Sequence, residues 1–284
     1  MSENNIFHYR KPAQYNVFPG AHSGKVIGNG LVFNQHKPLI AFPDPRHLDL
    51  RASFLNPFSH YQVRVFRQLS RLDVFLLADL SASMSFTGKY SKKQIIVDCL
   101  FSAAESAHAT GDRFGFVGCG QTLDPQLLIS PASQQYGRVV DIATRIKSSR
   151  LTGRADGLLQ AANYLPDRSA LVFLLSDFYL PMAMVRQIMR RLNQHMVVPL
   201  VIWDKQESSD LPAWGLLKFS DLELGKTRTL LMRPSLREKI YASYLNRKQQ
   251  LRKCFRSFGA EPLFIEQGFQ AELISQYFFQ YATS

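Results

Sequence analysis

Three stretches of the chain are apolar without alternation: Asp73–Asp79 (DVFLLAD), Ser169–Leu175 (SALVFLL) and Met196–Trp203 (MVVPLVIW). A strand with one face in water alternates polar and apolar residues. A strand without alternation has both faces covered, as in the parallel sheets of α/β proteins. The segments between these runs have helical periodicity instead. Lys92–His108 places Ile95, Ile96, Cys99, Leu100, Ala103 and Ala107 on one side, and Tyr136–Lys147, Asp156–Tyr164, Met182–Asn193 and Ala271–Phe279 read as further helices. Arg113–Cys119 and the short Pro262–Ile265 are additional strand candidates. Strand–helix alternation of this kind predicts an α/β fold, a mostly parallel sheet flanked by helices on both faces.

The rest of the chain divides around that core. Residues 1–19 are polar, carry Pro12 and Pro19, and are expected to form a flexible arm. Residues 20–70 show short strand-like runs (Lys25–Ile27, Leu31–Phe33, Leu39–Phe42) among Gly and Pro and are expected to form a β-rich extension. Residues 71–284 form the α/β domain, with a hairpin insertion near 214–232 around Gly225. The apolar fraction of 46% and charged fraction of 20% exclude a disordered or collagen-like chain. No apolar run approaches the roughly 18 residues of a membrane span. The first residues, MSENNIFHYRKPAQY, lack the apolar stretch of a signal peptide. Cys99, Cys119 and Cys254 are odd in number and make no C-x-x-C pair, which points to a reducing compartment. Together these predict a cytoplasmic chain.

The net charge of +12 invites a nucleic-acid or anionic-membrane reading, which its distribution tests. Residues 233–256 hold eight basic side chains against Glu238 alone, a net +7. Leu236, Ile240, Tyr244, Leu245, Leu251 and Phe255 recur there at largely helical spacing, so the segment reads as one amphipathic helix with a basic outer face. Its arginines and lysine Arg237, Arg247, Lys248 and Arg252 are candidate partner-binding residues, a docking face for an acidic protein partner and separate from the strand-end site described next. The alternative is an RNA- or DNA-binding protein using the same 233–256 helix. Nucleic acid is the less favoured partner, because Tyr241, Tyr244 and Phe255 are accounted for by the apolar seam.

In an open parallel sheet, ligands sit beyond the carboxyl ends of the strands. After the first buried strand comes Asp79-Leu80-Ser81-Ala82-Ser83-Met84, and after the second Ser176-Asp177-Phe178. If the first segment stays extended, Asp79, Ser81 and Ser83 present three oxygen-bearing side chains to one side. A carboxylate with hydroxyls is a hard-oxygen set suited to Mg²⁺ or Mn²⁺ rather than Zn²⁺. Between them lies the loop Leu151-Thr152-Gly153-Arg154-Ala155-Asp156-Gly157, which opens a helix and offers Asp156 as a further ligand and Arg154 as a partner-binding cation.

D-x-S-x-S after one strand, a second loop and an Asp after a later strand resemble the metal-ion-dependent adhesion site of von Willebrand factor A domains. More narrowly, the chain resembles the bacterial "domain of unknown function 58" family over roughly residues 20–280. The resemblance rests on Pro45–Ser53 (PRHLDLRAS), Asp73–Met84, Gly111–Gly118 (GDRFGFVG), Leu174–Phe178 (LLSDF) and Ser220–Gly225 (SDLELG). It implies a von Willebrand factor A-like, Rossmann-like sheet. It implies Ser81 and Ser83 as direct ligands, Asp79 and Asp177 as direct or water-mediated ones, and an open metal position for an acidic residue of a partner. It also implies an adaptor that works with a MoxR-type AAA+ ATPase in assembling or maturing another protein complex. The chain departs from the family where a Gly-Gly-Thr-Asp run is expected. Here it reads Gly153-Arg154-Ala155-Asp156, and Ala155 has no oxygen to offer. The resemblance therefore leaves either a weakened Mg²⁺ or Mn²⁺ site or an empty one that keeps its strand-end hydrogen bonds.

Enzyme signatures are missing from the sequence. There is no G-x-S-x-G elbow, no HExxH and no P-loop, and Gly118-Cys119-Gly120 and Gly28-Asn29-Gly30 lack the third glycine of a dinucleotide fingerprint. Ser81 stands where an aspartyl phosphotransferase carries its second carboxylate. A non-enzymatic protein is expected.

Overall fold

The structure is a computed structural model that describes residues 6–9, 19–28, 32–41, 43–58, 60–133, 135–207, 210–212, 214–220 and 227–281. Its centre is a six-stranded sheet built from β5 (Asp73–Asp79), β6 (Arg113–Cys119), β7 (Leu123–Ala132), β8 (Leu171–Ser176), β9 (Met196–Ile202) and β12 (Leu263–Ile265). The strand order is β12-β9-β8-β5-β6-β7. All neighbours run parallel except β7, which pairs antiparallel with β6 at one edge. The three apolar runs thus become β5, β8 and β9, side by side. In register, Leu76 of β5 lies between Phe116 of β6 and Phe173 of β8, and Phe173 faces Val198 of β9. Pro199 stands in β9 without disrupting it, because β12 pairs with β9 only from Leu200 onward. The sequence reading does not mark β7, which carries Pro125 and Pro131; an edge strand tolerates both.

Successive side chains of a strand point to opposite faces, so the central strands feed two cores. On one face Val74, Leu76 and Phe173 pack with α2 (Lys92–Ala109), α3 (Tyr136–Ser148) and α7 (Ala271–Tyr281). On the other, Phe75, Leu77 and Val172 pack with α4 (Gly157–Ala161), α5 (Met182–Arg191) and the C-terminal end of α6 (Pro234–Arg256). The α/β class is as expected. The helix expected over 156–164 is α4 followed by a 3₁₀ turn at Ala162–Tyr164.

The segment before β5 is β-rich. β1 (Pro19–Gly28) and β2 (Val32–Pro38) flank β4 (Gln62–Ser70) antiparallel, and the two-residue β3 (Leu48–Asp49) also pairs with β4. The short α1 (Leu50–Phe54) follows β3, capped by the Asp49 side chain. Leu39–Ala41 is a turn rather than the strand expected over Leu39–Phe42. The hairpin is β10 (Gly215–Ser220) with β11 (Thr227–Met232); its tip, with Gly225 and most of the SDLELG stretch, lies outside the described residues.

The flexible arm expected over 1–19 is corrected at residues 6–9; residues 1–5 and 10–18 lie outside the described residues. Phe7 and Tyr9 are buried. The Phe7 ring meets Phe173 edge-on at 5.3 Å, and its backbone N–H donates to Ser106 Oγ at 2.9 Å. Tyr9 donates its hydroxyl to Asp112 at 2.7 Å. Two aromatic residues in a polar stretch find a slot between α2 and α7, which a composition argument does not see. Phe7→Ala is expected to cost about 3–5 kcal/mol, the usual range for a buried phenylalanine. Urea unfolding checks this; a loss below about 1 kcal/mol would mean that the segment is detached in solution.

Candidate functional site

The strand order reverses direction at β5, with β6 on one side and β8 on the other, so the carboxyl ends of β5 and β8 stand at the topological switch point, where ligands of open parallel sheets bind. Asp79 ends β5 and Asp177 follows β8; both are buried. The Ser81 backbone N–H donates to Asp79 Oδ1 at 2.9 Å, which turns the chain away from the sheet. The segment therefore does not stay extended: Ala82–Ser85 form a 3₁₀ turn. The two hydroxyls still meet, Ser81 Oγ and Ser83 Oγ lying 3.1 Å apart. Ser176 Oγ donates to Asp79 Oδ2 at 2.6 Å and accepts from the Phe178 N–H at 2.9 Å. Both Asp79 oxygens are thus engaged. Burial, with the Asp177 charge added, raises the Asp79 carboxyl to about 7.

Asp177 is held differently. Its Oδ2 accepts from Lys92 Nζ at 3.1 Å, and its Oδ1 from the Tyr179 N–H at 3.3 Å. Lys92 Nζ also donates to Glu207 Oε1 at 2.9 Å. Burial works against the Lys92 charge, but Asp177 and Glu207 outweigh it and its pKa is raised. The next residue, Phe178, has φ 51°, a left-handed conformation uncommon for a bulky residue. It is stabilised from three sides: by Ser176 Oγ, by Phe255 edge-on at 5.1 Å, and by Arg247, which donates to its carbonyl at 2.6 Å and also to that of Leu180. This turn carries the Phe178 ring into the core, beside the buried Asp177.

The middle loop is fixed by backbone contacts. The Ala82 N–H donates to Gly153 O at 3.0 Å and the Gly157 N–H to Gly120 O at 2.9 Å. A Cβ on Gly157 would stand 2.6 Å from Gly120 O, so only glycine permits that approach. Ala155 is buried in the apolar layer, and Thr152 and Arg154 are exposed. Asp156 precedes α4, and no hydrogen bond or ion pair joins it to the other four candidate ligands among the described residues. The fold brings together Asp79, Ser81, Ser83 and Asp177. It adds three residues that sequence reasoning missed: Ser176, Lys92 and Glu207. Lys92 left one signal, since a cation in the first turn of a helix opposes the helix dipole.

These residues do not fit a divalent ion. Mg²⁺ takes about six oxygens, normally with one or two carboxylates among them. Here both Asp79 oxygens already accept hydrogen bonds, Asp177 is paired with an ammonium, and Ala155 supplies nothing. Two neutral hydroxyls remain. Among the described residues no group of three or more His, Cys, Asp and Glu converges as a metal cluster.

The candidate partner-binding residues of α6 are largely engaged within the fold. Arg247 holds the β8–α5 loop, Lys248 pairs with Glu266, and Arg252 lies 5.3 Å from the Phe264 ring. Arg237 is exposed near the start of the helix. The sequence reading keeps the α6 face separate from the strand-end site; in the fold the two are joined by a run of aromatic contacts. Tyr179 stacks on Trp203 at 5.8 Å, Trp203 meets Tyr244 at 4.7 Å, and Tyr244 stacks on Tyr241 at 6.2 Å. The indole N–H of Trp203 donates to the Asp177 carbonyl at 2.8 Å.

Residues 54–250 match the family described as "Protein of unknown function DUF58". The chain belongs to this family. No curated protein matches it. Among solved structures it is similar to an aerotolerance-related membrane protein from Bacteroides fragilis, at 12% identity and TM-score 0.42, covering 75% of this chain and 98% of that one. It is similar to the conserved hypothetical protein BatB from Bacteroides thetaiotaomicron, at 13% and TM-score 0.40, covering 75% and 100%. A von Willebrand factor type A protein from Catenulispora acidiphila is similar at 13% and TM-score 0.40, covering 75% and 42%. Among the described residues of this DUF58 chain no helix is long and apolar enough to cross a membrane.

The raised carboxyl has a pH consequence. Between its unfolded value near 3.8 and about 7, native Asp79 holds more proton than the unfolded chain, so this group makes stability fall as pH rises through that window. Asp79→Asn, which keeps the shape but cannot ionise, is expected to flatten the fall between about pH 4 and 7. Urea melts of both proteins across that range measure it; parallel curves would contradict the assignment.

Proposed function

We propose that this protein is a non-enzymatic interaction adaptor that binds its partner along the face running from the strand-end site to α6. The observation that carries the reading is the aromatic ladder Tyr179–Trp203–Tyr244–Tyr241. Its inner members are packed and its two ends, Tyr179 and Tyr241, are 46% and 44% exposed. Exposed aromatic side chains on a rigid base, with arginine nearby, are what interface hot spots are made of. Arg154 is exposed on the loop beside the site, and Leu245 is exposed one turn beyond Tyr241. Before α6, Leu216 and Leu231 form an exposed cross-strand pair on the hairpin, with Trp214 preceding them. Exposed aromatic and aliphatic side chains with cations nearby fit an acidic, partly apolar protein surface.

The identity of that partner rests on the family resemblance: a MoxR-type AAA+ ATPase and the complex it assembles or matures, in the cytoplasm. A nucleic-acid role for the 233–256 helix is less well supported. Two of its eight basic side chains, Lys248 and Arg256, already pair with Glu266 and Glu261, which lowers the free positive charge of the helix.

The test is binding of the purified ATPase to the full chain. Tyr241→Ala combined with Leu245→Glu is expected to weaken binding at least about tenfold, or about 1.4 kcal/mol, while leaving the melting temperature unchanged. Unchanged binding would remove the face. Salt-sensitive binding of single-stranded RNA by the wild-type chain would favour the nucleic-acid alternative.

A further inference from the structure

We propose that Lys92 is the resident cation of the strand-end site, and that its ammonium takes the place a divalent metal would have as counter-charge to Asp177. The proposal does not depend on the partner, because it concerns ion binding by the isolated chain.

The ammonium is enclosed. Lys92 and Asp177 are each 1% exposed, and Glu207 closes the other side of Nζ at 2.9 Å. The rings of Phe86 and Tyr179 each lie 5.5 Å from Nζ, within the range of cation–π attraction. A buried ammonium is sustained only by paired, well-placed carboxylates. Nothing local explains a lysine here. It is the first residue of α2, after the Ser91 cap, where the helix dipole disfavours positive charge. The two carboxylates, Asp177 just after β8 and Glu207 in the 3₁₀ turn after β9, are what hold it.

The surrounding loops are shaped to this arrangement. The Tyr90 N–H donates to Asp204 Oδ2 at 3.2 Å, and Glu207 Oε2 accepts from the Asp204 N–H at 3.3 Å. Gly88 lies so close to Asp204 that a Cβ there would fall 2.4 Å from its Oδ2. The start of α2 is thus drawn onto the turn after β9, and Lys92 joins the two directly through Glu207 while also pairing with Asp177 after β8. A divalent ion arriving at Asp177 would meet this fixed positive charge, find the Asp79 oxygens engaged, and find no hydroxyl at Ala155. The strand-end face is therefore set by the chain itself and does not change with metal supply.

Manganese titration of the full chain, read by the loss of free Mn²⁺ signal and by melting temperature, tests this. The wild-type chain is expected to show no saturable site up to about 1 mM, the weak end of protein sites for hard cations. Lys92→Met is expected to gain one Mn²⁺ site at least about tenfold tighter than any wild-type binding, lost again on adding Asp177→Asn. Ala155→Thr alone, with Lys92 in place, is expected to gain nothing. One equivalent bound by the wild-type chain overturns the proposal. So does a gain in Ala155→Thr alone, which would make the absent oxygen the only obstacle, or a folded Lys92→Met that binds no better than wild type. Where Lys92→Met does not fold, Lys92→Gln, which removes the charge but can still donate hydrogen bonds to the carboxylates, is titrated in its place with the same gain expected and the same failure overturning the proposal.

Discussion

Two carboxylates, Asp79 and Asp177, end neighbouring strands at a depth water does not reach, and the whole carboxyl edge is arranged around that constraint. Two buried negative charges in one site raise each other's energy, and each must find protons, hydrogen bonds or an opposite charge. The chain treats the two unequally. Asp79 receives a hydroxyl and a backbone N–H and drifts toward its protonated form, while Asp177 receives an ammonium. Placing that ammonium requires α2 to start where it does. The residue after Asp177, Phe178, takes a left-handed turn that Arg247 braces from α6.

Much of this was legible in the sequence. Continuous apolar runs identify the three central strands because two-sided burial leaves no room for alternation, and the residues after them are the ones that meet. What was not legible depended on distance along the chain. Lys92 and Glu207 are 115 residues apart and joined only by the sheet order. Ser176 looks like any strand-end serine until the register brings it to Asp79. β7 is hidden by its two prolines, and the burial of Phe7 and Tyr9 depends on a slot formed by helices at the two ends of the chain.

The charge excess also reads differently in three dimensions. In sequence, residues 233–256 are a basic block. In the fold the block is a scaffold element over its C-terminal half, where Leu251, Cys254 and Phe255 are buried and several cations serve carbonyls or carboxylates. The N-terminal half is exposed around most of its circumference, and there the aromatic and aliphatic residues, rather than the cations, are the distinctive feature.

The docking of Phe7 and Tyr9 changes what the β-rich extension is. In sequence, the described strands of the extension, from Pro19 to Ser70, lie between two points fixed in the α/β core, Tyr9 and Leu72, both buried. The extension is thus an inserted loop with both ends fixed, not a tail with one. A tail swings about a single pivot and explores a wide shell, whereas a segment closed at both ends has already lost that freedom, and lengthening it costs only slowly more. Sequence changes within the extension can alter its shape without setting it adrift.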